Sequence, residues 1–407
     1  MSDALHDAGA LSQASPYRGL KRALLARLCA SLRHGSLAII TPDGRHWHHR
    51  GAQPGPEASV QLHRWRALSR LFFGGDVAFA EAYGDGDWTS PDLATLIELA
   101  AVNGETLDPE ARGSLVARLW NRLLHAVRAN SRAGSRRNII AHYDLGNDFF
   151  SAWLDPGMSY SSGIYRDAGT SLEDAQTAKQ DRAIALLELK GGERVLEIGI
   201  GWGGLAERLL STSDATLTGL TLSPSQLGYA TRRLEEAGLA PRADLRLQDY
   251  RDVEGQFDRI VSIEMFEAVG EAYWPVFFET LRARLAAGGV AVLQVITIAE
   301  NRFETYRRGA DFIQRHIFPG GMLPSPSVLR RHVAAAGLRV EHEECFGHSY
   351  ARTLADWHRR FLAVLPEVTR LGLDERFQRL WRYYLAYCEG GFRAGAIDVG
   401  LYRIRHA

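Results

Sequence analysis

The sequence is poor in cysteine and in lysine, and it has no net charge. Its three cysteines, Cys29, Cys345 and Cys388, stand far apart. No Cys-x-x-Cys pair and no histidine at ligand spacing accompanies them, so neither a structural zinc site nor a disulfide framework is expected, and no metal is assigned. Lys21, Lys179 and Lys190 are the lysines among 48 basic residues, so nearly all positive charge is arginine. That biases cationic sites toward bidentate contacts with carboxylate or phosphate. The basic residues are balanced by 48 acids, which excludes a wholesale polyelectrolyte binder, and no nucleic-acid partner is expected. No stretch approaches the roughly 18 apolar residues that a spanning helix needs. The first residues carry acids early and lack an uninterrupted apolar core before a cleavage site. The expectation is a soluble protein of a reducing cytoplasm.

What is present is ordinary globular material: 407 residues, 46% hydrophobic and 24% charged, enough for two or three domains. Residues 20–28 repeat leucine at helical spacing. The period then changes. Residues 37–40 and 46–49 read as a strand pair around Thr41-Pro42-Asp43-Gly44, residues 58–65 as another strand, and 67–73 and 90–101 as helices. Ser90 is the expected N-cap, ahead of Pro91. This outlines a small α+β domain over residues 1–110.

Residues 112–142 contain seven arginines and no acid. Leu115, Leu119, Trp120, Leu123, Leu124 and Val127 form one helical stripe, and Arg118, Arg122, His125 and Arg132 another. A basic amphipathic helix over 111–140 suits an anionic membrane surface. The same stripe could equally pack on a neighbouring domain with its arginines solvated.

From residue 171 onward helices (171–189, 203–210, 225–237, 273–285) alternate with short apolar strands (194–198, 216–222, 244–247, 258–263, 289–298). This predicts an α/β domain over 141–407, a doubly wound, Rossmann-like parallel sheet with ligands at the carboxyl ends of its strands. The tail, 325–404, reads as mostly helical, with a late strand at 338–341.

The strand Val195-Leu196-Glu197-Ile198 runs into Gly199-Ile200-Gly201-Trp202-Gly203-Gly204 and a helix. Alone, a glycine-rich βα turn suits nucleotides, flavins or S-adenosylmethionine. A dinucleotide site wants an acid about 20 residues on, yet the second strand ends Thr221-Leu222-Ser223. Glu197 is placed to face a cationic or amine-bearing ligand. Asp249 and Tyr250 offer an acid and a ring where an adenine could lie.

At this point the chain resembles the cyclopropane fatty acid synthase family of S-adenosylmethionine-dependent class I methyltransferases. The motifs, in order over residues 138–396, are His142-Tyr143-Asp144-Leu145-Gly146-Asn147-Asp148-Phe149-Phe150, Met158-Ser159-Tyr160-Ser161-Ser162, the 197–204 loop, Leu220-Thr221-Leu222-Ser223-Pro224-Ser225-Gln226, Gln248-Asp249-Tyr250-Arg251-Asp252, Met265-Phe266-Glu267, His316-Ile317-Phe318-Pro319-Gly320-Gly321 and Gly390-Gly391-Phe392-Arg393-Ala394. The region before them resembles, less distinctively, the small lipid-associated domain of the bacterial synthases. The resemblance implies cofactor contacts at Tyr160, Ser161, Glu197, Gly199, Gly201, Gly203, Thr221, Gln226, Asp249, Tyr250 and Arg251. It implies as substrate a cis-unsaturated acyl chain in a membrane phospholipid, met at the inner face of the membrane by a peripherally bound enzyme. A homodimer is compatible with the sequence but not determined by it.

Attack of an alkene on a sulfonium methyl leaves a carbocation, so water must be excluded and an aromatic wall helps. Tyr306, Phe312, Phe318, Trp357, Phe361, Tyr383, Tyr384 and Phe392 are candidates. The cation then loses a proton, and the resemblance implies a bound bicarbonate as base, held by a Glu, a His, a Tyr and backbone. Glu267 and Tyr350 match two of these and Ile296 the backbone position. Gln294 stands at the His, Ser162 at a Cys, and Ala268 where a His is common. Glutamine cannot carry positive charge, which weakens bicarbonate binding or abolishes it. Glu264 stands where the bacterial synthases often have Gly, three residues before Glu267, and is expected to form with Glu267 and Tyr350 a modified proton-abstraction site. A structural role for Glu264, capping a helix or pairing with an arginine, is the plain alternative. Cys388 matches a cysteine associated with the family and is expected to be a wall residue, since no group nearby in sequence would lower its pKa. The product is a cyclopropane or, with the altered base site, a methyl-branched or methylene chain. A small-molecule amine N-methyltransferase and a catalytically silent lipid-binding protein are the other readings.

Overall fold

The computed structural model describes residues 16–104, 145–309 and 311–407. The arginine-rich segment and the 111–140 helix expected there lie outside the described residues. Among the latter, two sheets form.

The first sheet has the order β2-β1-β3-β4, built from β1 (His34–Ile40), β2 (His46–Arg50), β3 (Gln53–Leu62) and β4 (Trp88–Thr89). β1 and β2 are the antiparallel pair expected around the Thr41–Gly44 turn, whereas β3 runs parallel to β1. The helix Leu93–Val102 begins at Asp92, whose side chain accepts from the Thr95 amide. Asp92, not Ser90, is therefore the cap; the Ser90 hydroxyl donates to the carbonyls of Ser59 and Asp92. The helix Arg66–Gly84 bends at Gly75, where φ is +76°.

The second sheet has the order β10-β11-β9-β8-β5-β6-β7. Its strands are β5 (Arg194–Ile198), β6 (Thr216–Thr221), β7 (Ala243–Leu247), β8 (Phe257–Ile263), β9 (Leu285–Ile298), β10 (Leu338–Cys345) and β11 (Ile397–His406). The first five are parallel to one another, as expected. β10 extends the late strand expected at 338–341, and β11 corrects the helical reading of the tail's end: it lies antiparallel between β9 and β10. Both faces of the sheet are buried, and side chains alternate between them with the two-residue period of a strand. Val195, Leu217, Val261 and Val292 pack on one face against Leu186, Ala206 and Leu209. Leu196, Ile260, Ala291 and Leu293 pack on the other against Trp274, Phe277, Phe278 and Leu281. This is a doubly wound α/β domain.

One apolar cluster crosses between the two sheets' domains, from Leu25 to Val399. Trp88 stacks on Phe79 with ring centroids 4.3 Å apart and meets Tyr383 edge-on at 6.3 Å. The helix Glu375–Arg393 lies so close to Leu93–Val102 that a Cβ on Gly390 would come within 2.7 Å of the Ala94 carbonyl. The N-terminal domain is thus packed against the doubly wound domain.

Candidate active site

Four adjacent strand ends build the site, in the order β6, β5, β8, β9. Neighbouring strands lie about 4.8 Å apart, so groups just past these ends face one another across one crevice.

β5 delivers Glu197 and then the glycine loop. Gly199 has φ +89°, and an added Cβ would meet Met265 at 3.0 Å. At Gly201 the missing Cβ would meet nothing within 4 Å. Beneath the loop the Glu197 carboxyl is buried, with Oε2 lacking any partner. Burial pushes its pKa up to about 8, against the pull of Lys179. An orphaned buried carboxyl under a glycine cradle is what a cationic ligand needs: its charge would repay the ionisation that burial penalises. Trp202 of the loop donates to Asn147 at 2.8 Å, and Phe149 and Phe150 of the same motif are wholly buried.

β6 delivers Thr221, whose hydroxyl donates to the Gln226 side-chain oxygen at 2.9 Å. Tyr160, Gly199, Gly201, Thr221, Gln226 and Tyr250 line one cavity. Ser161, Glu197, Gly203, Asp249 and Arg251 are not part of that lining. Asp249 and Arg251 form a two-point ion pair, Nε to Oδ1 at 2.8 Å and Nη2 to Oδ2 at 2.6 Å, so the acid expected near an adenine is already engaged.

β8 ends at Ile263, and Glu264 follows with φ +49°. A left-handed backbone suits glycine and costs a branched-at-Cβ or longer residue about 1 kcal/mol or more. The glutamate therefore stands where its backbone would favour the simpler residue. Its Oε1 accepts from the Ser162 amide at 2.9 Å and from Gln294 Nε2 at 2.7 Å, and its Oε2 accepts from the Tyr350 hydroxyl at 2.6 Å. None of these donors is an arginine and none is a backbone amide of a helix's first turn, so neither helix capping nor arginine pairing accounts for the side chain. Burial raises the Glu264 pKa, while these three donors and Lys179 hold it down. Glu267 follows in a short 3-10 turn. Its Oε1 accepts from the Ile296 amide of β9, Oε2 has no partner, and burial together with Glu264 pushes its pKa up to about 8. Two buried carboxyls thus share the crevice, both pushed up by burial, but only Glu264 has three hydrogen-bond donors that favour its charged form.

The bicarbonate site implied by the sequence does not fit. The residues at its expected positions come together, with Gln294 in place of the His, but the Tyr350 hydroxyl, the Gln294 amide and the Ser162 amide already serve Glu264. A second anion would lack donors and would stand beside a carboxylate, a repulsion of about 4 kcal/mol at 4 Å in a protein-like dielectric. Ser162 contributes only its amide, since its hydroxyl donates to the Gly163 carbonyl.

Lys179 escaped the sequence reading. It sits in the helix Leu172–Leu187, 3% exposed, donating to Ser161 Oγ at 2.7 Å and acting on Glu264, Asp155 and Glu197. The signal was its rarity: a lysine in a chain that elsewhere uses arginine.

The cavity has a volume of about 1000 Å³. Its lining includes the glycine loop, Glu264, Glu267 and Tyr350, the aromatic residues Tyr306, Phe318, Tyr384 and Phe392, and Leu37, Val60 and Leu99 of the N-terminal domain. Cys388 lines it, and burial raises its thiol pKa far above the range of a reactive cysteine, as expected for a wall residue. Of the proposed aromatic wall, Phe312, Trp357 and Phe361 are instead fully buried core side chains behind the lining.

A doubly wound sheet with this loop, an orphaned carboxyl beneath it and an apolar cavity beside it defines an S-adenosylmethionine-dependent methyltransferase. The comparisons with known proteins give the family. The family model for mycolic acid cyclopropane synthetase matches residues 130–401. Tuberculostearic acid methyltransferase UfaA1 of Mycobacterium tuberculosis is 37% identical over 386 residues, 90% of this chain and 87% of the relative. Cyclopropane-fatty-acyl-phospholipid synthase of Escherichia coli is 36% identical over 349 residues, 84% of this chain and 86% of the relative. Among solved structures, mycolic acid cyclopropane synthase CmaA1 complexed with SAH and CTAB superposes with a TM-score of 0.62 at 32% identity, covering 66% of this chain and 97% of that one. The chain belongs to the cyclopropane fatty acid synthase family, and it is an enzyme of methyl transfer to fatty acyl chains.

Proposed function

We propose that this enzyme methylates the cis double bond of an unsaturated acyl chain carried by a membrane phospholipid, and that the transferred carbon then loses one hydrogen, leaving a cyclopropane or methylene group. The observation that carries this reading is the single cavity joining the cofactor loop, the buried carboxyls and an aliphatic end in the N-terminal domain. Such a path matches an extended apolar chain with one reactive point along its length, and a compact amine would leave most of it empty. When bound, S-adenosylmethionine supplies an electrophilic methyl group. The chain's own residues hold the alkene against it, keep water away with the apolar wall, and receive the proton at a carboxyl that lies one strand from the cofactor loop.

The lipid is met at the membrane surface. Among the described residues no helix is long and apolar enough to cross a membrane; the reading is peripheral binding at the cytoplasmic face, which the arginine-rich, acid-free composition of 112–142 favours through anionic headgroups. The experiment is incubation with methyl-labelled S-adenosylmethionine and vesicles of cis-monounsaturated or fully saturated phospholipid. Label in the acyl chains of the first and not the second is expected. Equal labelling of both, or of neither, contradicts the reading.

A further inference from the structure

We infer that Glu264 is a built-in base: its carboxylate occupies the cradle made by Tyr350, Gln294 and the Ser162 amide in place of a free bicarbonate, and takes the proton from the alkylated acyl chain. The inference rests on the acyl-chain reading above for the identity of the proton donor, but not for the occupancy of the cradle.

Three observations carry it. The cradle is complete without an exogenous ion: a carboxylate offers about four lone-pair directions, Oε1 uses two on Ser162 and Gln294, and Oε2 uses one on Tyr350. One direction on Oε2 is left for a proton. Second, Glu264 lines the same cavity as Gly199 and Gly201, which lie past the end of the neighbouring strand. Third, the backbone at Glu264 is left-handed, φ +49°, a conformation that glycine would adopt without strain. A side chain held there against its backbone preference points to a function for that side chain.

The step balances without a further reactant. A C–H bond of the transferred carbon breaks, its electron pair closes the cyclopropane ring onto the cationic carbon, and the proton passes to Oε2 of Glu264; for a methylene product a 1,2-hydride shift first moves the cation to the methylated carbon, and the same electron pair forms the double bond. Tyr350 and Gln294 act as positioning residues that hold the carboxylate rotamer. The titratable groups that face Glu264 are Lys179 and Tyr350, which favour its charged form, and Glu267, Tyr384 and Cys388, whose own ionisation its charge opposes.

The test has two arms. In the first, ¹³C-bicarbonate is titrated with wild-type protein and with Glu264→Gly, and its ¹³C line width is followed; no lipid is needed. Broadening by the variant alone is expected, because removing the side chain vacates the cradle. Broadening by wild type overturns the inference whether or not lipid is methylated. In the second arm, lipid methylation is measured in carbon-dioxide-free buffer with and without added bicarbonate. Wild type is expected to turn over equally in both. Glu264→Gln is expected to fall by about 10²- to 10⁴-fold, the usual value of a general base, and Glu264→Gly to recover in part when bicarbonate is added. A bicarbonate requirement in wild type, or full turnover by Glu264→Gln, overturns the inference. Absence of lipid methylation by wild type under all conditions would fall on the proposed substrate instead, with the first arm still deciding the cradle. Retained S-adenosylmethionine binding and an unchanged melting temperature show that each variant is folded, and the wild-type comparisons need no variant at all.

Discussion

Lys179 donates to the Ser161 hydroxyl at 2.7 Å, which fixes the chain's one buried lysine among Asp155, Glu197 and Glu264. A buried ammonium survives only where carboxylates compensate its lost hydration. The same cation lowers the pKa of Glu197 and of Glu264. It therefore opposes the burial that favours the protonated form of both carboxyls.

Replacing Lys179 with Met should move the acidic limb of the pH–rate profile to higher pH by about one unit or more, the usual effect of a neighbouring opposite charge. Rate measurements across pH at saturating cofactor check this. An unmoved limb would mean that Lys179 serves packing only.

Glu197 gives a stability prediction. Burial holds its pKa near 8, above that of an unfolded glutamate. The folded chain then keeps a proton that the unfolded chain has released, so this group's contribution to stability is full below the ordinary carboxylate range and falls as pH rises to about 8. Glu197→Gln, which cannot ionise, should flatten the melting temperature of the ligand-free protein between about pH 5 and pH 8 and raise it at the upper end. The same variant should bind S-adenosylmethionine more weakly in calorimetry. A pH slope equal to that of wild type would contradict the assignment.

Cys388 is predicted to be replaceable. Its thiol is far from reactive and it lines the cavity, so Cys388→Ser should keep turnover within about threefold, since no covalent step uses the sulfur. Cys388→Trp should abolish lipid methylation while leaving cofactor affinity intact. Loss of activity in the serine variant would restore a chemical role.

The aliphatic end of the cavity should set chain length. Leu96 of the helix Leu93–Val102 lines it, half-buried. Leu96→Trp should shift the preference toward shorter acyl chains, read by mass spectrometry after competition between phospholipids of different chain length. An unchanged preference would place the acyl chain elsewhere.

The parallel half of the sheet was legible because each strand is a short apolar run bounded by turn residues, and β5 and β8 begin and end within a residue of the expected bounds. β11 was missed. Its Ile397-Asp398-Val399-Gly400-Leu401 opening mixes polar residues and a glycine into the pattern, and only insertion between β9 and β10 buries it. The cap fell to Asp92 because a cap is decided by which side chain reaches the third amide ahead, a matter of geometry that Ser90 and Asp92 satisfy equally on paper. Glu264, Glu267 and Tyr350 could be named from motif positions, but their sharing of one crevice could not. That depends on β8 and β9 being neighbours and on the helix Gly347–Ala363 carrying Tyr350 over them. Lys179 was hidden by its setting, since a lysine in a helix with so mixed a pattern as Leu172–Leu187 reads as solvent-facing.

The most direct test of the whole account uses S-adenosylmethionine with a trideuterated methyl group and vesicles of cis-monounsaturated phospholipid, followed by mass spectrometry of the acyl chains. The account predicts products that retain two deuterons, because the base beside the cofactor loop takes the third from the transferred carbon. Chains that retain all three would show that the proton leaves the acyl chain itself, and would contradict the place given to Glu264.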